Sequence, residues 1–397
     1  MSRTGDTSQV SARRLRTRAA VLAELQAGPA TRSELSRRSR LSRSAVGECV
    51  ADLIAEGTLA ERNPDGAAAG RGRRAAVVAL RPAEGVVLGI DLGHSHVSVA
   101  AARRDGTVLA ERTTALDVDR QPQRALDTAA ELGLAALTES GHPVDDLAAV
   151  AVGIPGPLDS RSRKVRAPTI LTEWVGVDPA AGLETRLGRT VVVGNDADMG
   201  AVGEHRFGAA RGLDDFLYVK ASHGIGAGVF VAGHIYRGAT GIAGEIGHTE
   251  IPGAHELCRC GSRGCLESVV SIGSVHRQLA HVLAATGAAV DETSPPALSE
   301  LAENSAAARI VCDAGRTIGR VVATLVNCLN PAAVVLGGEL GAAGEPLLAG
   351  VRESLQRYAQ PASADAARVC SGQLGARAEL LGTVATAQQR AASAALD

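Results

Sequence analysis

The chain has 397 residues, long for one domain and suited to two or three, and its 45% apolar and 21% charged residues describe a soluble globular protein with ample mass for a core. The N-terminal MSRTGDTSQVSARRLRTR holds no apolar run that would serve as a signal peptide, and no apolar stretch approaches the roughly 20 residues that span a bilayer, so a cytoplasmic protein without structural disulfides is expected. The net charge of −2 hides an asymmetry: residues 1–80 carry 14 Arg, no Lys and 8 acidic residues, a balance of +6, which leaves −8 on the rest.

A basic end ahead of an acidic body is either a segment that meets a polyanion or a solvated tail, and periodicity chooses between them. In LRTRAAVLAELQAG (15–28), Leu15, Ala19, Leu22 and Leu25 share one helical face, which stops at Gly28-Pro29. Thr31-Arg-Ser-Glu34 is a capping box that opens a second helix through Leu35 and Arg38. Ser42 can cap a third, in which Val46, Val50, Leu53 and Ile54 form the buried stripe. A strand (58–62), a Gly- and Arg-rich tip (63–74) and a second strand (75–80) follow. Three helices and then a hairpin is the order of a winged helix-turn-helix. The third helix would present Arg43, Ser44, Gly47 and Glu48 where major-groove readers project side chains, with Arg71, Arg73 and Arg74 at the wing tip for phosphates or a narrow minor groove. A three-helix protein-docking module is the alternative.

Arg81-Pro82 marks the boundary between a DNA-binding domain over 1–81 and a second domain over 82–397. GVVLGIDLGHSHVSVAAARRDGTVLAERT (85–113) reads as a buried strand, a Gly turn, a strand, a DG turn and a third strand. A helix (124–140), the strand LAAVAVGIPGP (147–157) and a strand-loop-helix, TVVVGNDADMGAVGEHRFG (190–208), come next. FLYVKASHGIGAGVFV then echoes VVLGIDLGHSHVSVA, which suggests two related α/β lobes with a cleft between them. The stretch 324–340 predicts a helix running into a buried strand, with Asn327 and Asn330 as turn-and-cap residues. Trp174 fits a sugar face or plain core equally. The scattered Cys49, Cys312, Cys328 and Cys370 read as small buried apolar residues.

The other three cysteines stand within eight positions, as CRCGSRGC at 258–265, ten residues after His248. Together with DLGHS (91–95), GIPGP (153–157), NDA (195–197), GIGAG (224–228), AGEIGH (243–248) and LGGEL (336–340), they make segment 86–390 resemble the ROK proteins (repressors, open reading frames, kinases). The resemblance implies a two-lobed actin-like, sugar-kinase (ribonuclease H-like) domain, and a winged helix ahead of it is the arrangement of the family's transcriptional repressors. CxCxxxxC alone could be a redox pair or an iron–sulfur fragment, and the preceding His argues against both. His248, Cys258, Cys260 and Cys265 form a closed N/S set that suits structural Zn2+. By resemblance, His248 would offer its other nitrogen to a sugar hydroxyl, and Asn195, Asp196, Glu245 and Glu267 would bind further hydroxyls.

In a kinase of this family, the counterpart of Asp196 is the base on the sugar hydroxyl. Asp91, Gly93 and Ser95 at one turn, with Gly224 and Gly226 at another, are the counterparts of phosphate-binding loops. His223 replaces a usual Thr, and Glu339 adds a charge that would sit badly near phosphates if it points inward. The expected protein is therefore a sugar-responsive transcriptional regulator, a repressor of carbohydrate genes and not an enzyme. It would act as a homodimer or dimer of dimers on an inverted-repeat DNA operator, with a small sugar or sugar derivative as effector and no membrane partner. Sugar binding would close the lobes, and a 75–90 hinge would carry closure to the DNA-binding arms. The alternative is an ATP-dependent sugar kinase with a DNA-binding arm.

Overall fold

In the computed structural model the described residues are 14, 17–18, 20–25, 28–55, 58–62, 76–80, 85–159, 161–166, 171–285, 298 and 305–394. The chain divides into two compact units, Met1–Glu84 and Gly85–Asp397.

In the first unit, helix α1 (20–25) buries Val21, Leu22 and Leu25; Leu15 and Ala19 lie outside the described residues. The capping box at Thr31 starts α2 (Arg32–Ser39): the Glu34 amide donates to Thr31 Oγ1, and Glu34 Oε2 accepts from the Thr31 amide at 2.8 Å. The helix ends where Arg40 turns left-handed, and α3 (Arg43–Ala55) follows. Strands β1 (Ala30–Thr31), β2 (Leu59–Arg62) and β3 (Val77–Leu80) form an antiparallel sheet in the order β1-β3-β2. Leu35, Val46, Val50, Leu53, Leu59 and Val78 make its core. This order of helices and strands is that of a helix-turn-helix unit. Strand β1 was not foreseen, because two residues leading into a helix cap carry no period. Arg71, Arg73 and Arg74 lie outside the described residues.

The second unit contains two five-stranded sheets of one design. In the first lobe, β4 (Val86–Leu92), β5 (His96–Arg103), β6 (Val108–Ala115), β7 (Leu147–Ile154) and β8 (Val191–Asn195) run in the order β6-β5-β4-β7-β8. In the second, β9 (Phe216–Ala221), β10 (Ile225–Val231), β11 (His234–Ile235), β12 (Ala333–Gly337) and β13 (Arg368–Ser371) run β11-β10-β9-β12-β13. Each combines antiparallel hairpin strands on one side with parallel strands on the other. All seven residues of β4 are buried, which is why that strand reads as a continuous apolar run.

Helices α4 (Pro122–Glu139) and α5 (Pro179–Leu187) cover the first lobe. After α6 (Asp196–Phe207), the second lobe carries α7 (Leu266–Val270), α8 (Ile272–Ala285), α9 (Ser305–Leu329), α10 (Gly338–Gly341), α11 (Glu345–Tyr358) and α12 (Pro361–Ala366). The last helix, α13 (Ala378–Ala394), returns to lie on β4, β5 and β7, while α6 lies on β9 and β10.

These two helices join the lobes, and glycines let them touch. A Cβ on Gly203 would come 2.2 Å from the Ala378 carbonyl oxygen, and one on Gly382 1.7 Å from that of Met199. Backbone cannot yield as a flexible side chain can, so Gly382→Ala is expected to cost at least the ~3 kcal/mol at the upper end of ordinary overpacking. Urea unfolding at the parent's midpoint would show instead that the helices part freely.

Two sequence readings are decided or corrected here. Trp174 is core: it is fully buried, and its indole N–H donates to the Val118 carbonyl at 2.8 Å. None of the four scattered cysteines is fully buried, and Cys328 is exposed beside Asn327 and Leu329 on the outward side of the last turn of α9. Asn330 does end that helix, left-handed at φ 46°. Among the described residues no helix is long and apolar enough to cross a membrane.

Candidate functional site

The cleft is built upward from the junction of β8 and α6. Asn195 is the N-cap of α6: its Oδ1 accepts from the Ala197 amide (2.8 Å) and the Asp198 amide (3.3 Å), and its Nδ2 donates to Gly156 O at 3.0 Å, tying down the Gly-Pro loop. The cap is therefore Asn195, and Asp196 is the first residue of the helix, with its carboxylate lining the cleft. Asp196 Oδ1 accepts from the Ala197 amide and Oδ2 from the Lys220 ammonium at 2.7 Å. Burial alone would lower the Lys220 ammonium, but Asp196, Glu379 and Asp91 together hold it above the usual lysine range. Lys220 escaped the sequence reading, although a lysine in the otherwise apolar strand FLYVKA was a signal.

The opposite wall comes from the second lobe. Gly244 sits at φ +95°, where a Cβ would lie 1.9 Å from Ala227 O, so the turn before Glu245 requires glycine. Burial first, then the charges of Asp196, Glu267 and Asp198, push the Glu245 carboxyl up to about 7. His248 Nε2 is 3.8 Å from Glu245 Oε2, while its Nδ1 is 3.6 Å from Cys258 Sγ. Glu267, in the first turn of α7, accepts from the Ile225 amide at 3.1 Å through Oε2. Asn195, Asp196, Glu245, His248 and Glu267 thus border one solvent-open cleft.

Beside this wall the ligand atoms of His248, Cys258, Cys260 and Cys265 lie within 4.8 Å of one another, a set that could hold a metal ion. The Cys258 amide donates to Ser262 O at 2.8 Å, which folds the loop, and Cys260 Sγ is 3.7 Å from Cys265 Sγ. Burial pushes the Cys265 thiol up to about 12 and raises Cys258 as well, whereas the Ser262 amide lowers Cys260.

The two Gly turns face the remaining side. Asp91 is buried, with Oδ2 3.0 Å from His96 Nε2 and Oδ1 without a hydrogen-bond partner among the described residues. The His96 ring packs on Gly93, and Ser95 is exposed. At the second turn, where Gly224 and Gly226 line the cleft, His223 Nδ1 is 3.5 Å from Glu339 Oε1, and Ser222 donates to the same oxygen at 3.1 Å. His223, with burial opposing, holds the Glu339 carboxyl below its usual range. Glu339 turns toward the second Gly turn, where its carboxylate meets Ser222 and His223, and its side chain stays half exposed.

In the first unit Arg43, Ser44 and Glu48 are exposed along the start of α3 and Gly47 is half-buried. The Ala45 amide donates to Ser42 Oγ at 3.3 Å.

Residues 87–390 match the ROK family. The chain belongs to that family. Over 366 residues this ROK protein is 28% identical to the putative xylose repressor of Caldicellulosiruptor sp. (strain Rt8B.4), covering 89% of its own chain and 90% of the repressor. Its fold matches the crystal structure of a ROK family transcriptional regulator, a homolog of the E. coli MLC protein, with TM-score 0.76 at 22% identity over 94% of this chain and 95% of that one. A ROK family glucokinase from Streptomyces griseus, solved with glucose and AMPPNP, matches with TM-score 0.68 and 29% identity; 100% of that enzyme is covered by 77% of this chain. Coverage of 89% must reach into the N-terminal unit, whereas the share left over by the glucokinase is about that unit's size.

Proposed function

We propose that this ROK protein is a sugar-responsive, DNA-binding transcriptional repressor. The observation that carries the reading is the pairing, in one chain, of a helix-turn-helix with a carboxylate-lined cleft, beside whose second Gly turn His223 meets Glu339. Carboxylates and an imidazole suit a polyhydroxy ligand, because each carboxylate can accept from two neighbouring hydroxyls. Asp196, Glu245, His248 and Glu267 are the hydroxyl partners, and Asn195 keeps one N–H for the ligand once its cap and loop bonds are made. Similarity to a protein named as a xylose repressor supports a sugar or sugar derivative as effector.

His248, Cys258, Cys260 and Cys265 fit Zn2+: one imidazole and three thiols make a complete tetrahedral set with no position open for catalysis. A bound dication supplies the charge that turns the raised thiols into thiolates. The protein's part is to hold His248 by Nδ1 so that Nε2 faces the cleft.

The DNA partner is a double-stranded operator with an inverted repeat, bound by a homodimer or a dimer of dimers, since two-fold proteins read two-fold sites. Residues 1–81 carry DNA binding through Arg43, Ser44 and Glu48, with Arg71, Arg73 and Arg74 on phosphates, and residues 82–397 carry sugar binding. The kinase reading is supported by the Asp196 carboxylate at the cleft, whose Oδ2 the Lys220 ammonium engages, and by the likeness to a ROK family glucokinase.

Fluorescence anisotropy on DNA from upstream of the protein's own gene tests the proposal, at two salt concentrations and against a panel of simple sugars. Specific binding that weakens with salt and shifts with one sugar is expected. Arg43→Ala should cost about 1–3 kcal/mol of DNA binding and leave sugar binding unchanged. Sugar-dependent ATP consumption without specific DNA binding would replace the repressor by a kinase.

A further inference from the structure

Arg259, between two of the cysteines, is placed unlike any other side chain of the cleft. It lines the cavity, yet among the described residues it makes no hydrogen bond. Its guanidinium hangs between two carboxylates, 3.7 Å from Glu267 Oε1 on its own lobe and 3.8 Å from Asp119 Oδ2 on the other.

Both ends of this span are fixed. Asp119 lies between β6 and α4, where His94 Nδ1 grips both its oxygens at 2.7 and 3.0 Å. The neighbouring Val118 donates its amide to His94 O and accepts the Trp174 indole N–H on its own carbonyl. Trp174, though core, therefore sets the position of Asp119. Arg259 is fixed at its base, because Cys258 and Cys260 flank it in the folded loop. Among the described residues, apart from the pairs that Asp196 and Asp198 of α6 make, one other ion pair links a first-lobe strand to the turn after β13, Glu111–Arg377, and neither residue lines the cavity.

We propose that the Asp119–Arg259–Glu267 bridge is the link by which an occupied sugar site draws the two lobes together, so that Arg259 is the residue that converts binding into a response. The inference rests on the sugar-sensor reading and names its regulating contact. A ligand on Glu267 fills the cleft and excludes water between the guanidinium and Asp119. Removing that water strengthens an ion pair that solvent now screens, and the pair is then stronger in the occupied state than in the empty one. A contact with that difference can shift the equilibrium between two lobe spacings, and one without it cannot. Arginine suits the role because its planar fork can hold two carboxylates at once.

The test uses the full-length protein with Asp119→Asn, Arg259→Gln and the double variant. Calorimetry gives the affinity for the effector sugar, and anisotropy gives the ratio of operator affinities with and without saturating sugar. The inference expects Asp119→Asn to bind sugar within about tenfold of wild type while the operator ratio falls at least fivefold. It expects Arg259→Gln to lower the ratio equally and the double variant to lower it no further. Asp119 lies outside both the cavity lining and the cysteine loop, so this variant separates coupling from any loss of folding in Arg259→Gln. An Asp119→Asn protein with the wild-type ratio, or additive losses in the double variant, overturns the inference alone. A wild-type protein that binds no sugar overturns both the inference and the sensor reading.

Discussion

Cys260→Ser is expected to lose the metal, the shape of the loop and sugar binding together. Cys260 is the most exposed of the three thiols and the one whose ionisation its surroundings favour, through the Ser262 amide. Replacing a ligand should weaken metal binding by more than the 10–100-fold typical for losing an outer partner of a ligand. The consequence is amplified by geometry. His248 is both a member of the ligand set and a wall of the cleft, and Cys265 is the residue from which α7 and Glu267 start. Without the metal, the segment from 248 to 265 keeps only scattered bonds, such as Ile251 N to Gly264 O and Arg263 Nη1 to His255 O, and the cleft loses the fixed positions of His248, Glu267 and Arg259. Plasma mass spectrometry should find one metal ion per wild-type chain and far less per variant chain. Calorimetry should find no sugar binding in the variant. A variant that keeps stoichiometric metal and wild-type sugar affinity would remove Cys260 from the ligand set.

How much of this was legible in the sequence depends on what kind of physics placed each residue. Local rules were readable. The Thr31–Glu34 capping box, the strand-turn-strand echo between the lobes and the cysteine spacing are patterns within a few residues, and the structure realises them as α2, two sheets of one order and a single cluster of ligand atoms. Contacts between distant segments were not readable. Lys220 meets Asp196 across 24 positions, and Arg259 meets Asp119 across 140, and neither pairing leaves a mark on local periodicity. Glu339 was suspect as a charge beside a Gly turn, but its clasp with His223 needed the coordinates. Trp174 could not be assigned from sequence because an aromatic of a sugar platform and an aromatic of a core have the same composition; only its full burial and its bond to Val118 separate them. Cys328 failed for the opposite reason: its residue type favours the interior, and its place on the last outward turn of α9 overrode that preference.

Glu267→Ala is expected to abolish the sugar response while operator binding in the absence of sugar stays at the wild-type level. Glu267 is 9% exposed and does two jobs with two oxygens. Oε2 takes the Ile225 amide, which fixes the carboxylate against the β9–β10 turn, and Oε1 faces the cleft and Arg259. Hydrogen bonds to a charged group are worth about 1.5–3 kcal/mol each, so losing even one ligand hydroxyl contact lowers sugar affinity by roughly 10–100-fold. Alanine also leaves the buried Ile225 N–H without its acceptor, at a cost in stability of about 1–3 kcal/mol. Glu267→Gln separates these effects, since its carbonyl oxygen can still accept from Ile225 while the charge toward the ligand and Arg259 is gone. The glutamine variant should therefore unfold close to the wild-type midpoint and still bind sugar poorly. The helix-turn-helix has a core of its own, built from Leu35, Val46, Val50 and Leu53, so neither change should alter the affinity for the operator without sugar. Calorimetry on both variants, with anisotropy on the same preparations, decides the matter. If Glu267→Gln binds sugar as wild type does, Glu267 is a turn residue and the hydroxyls are held by Asp196, Glu245 and His248 alone.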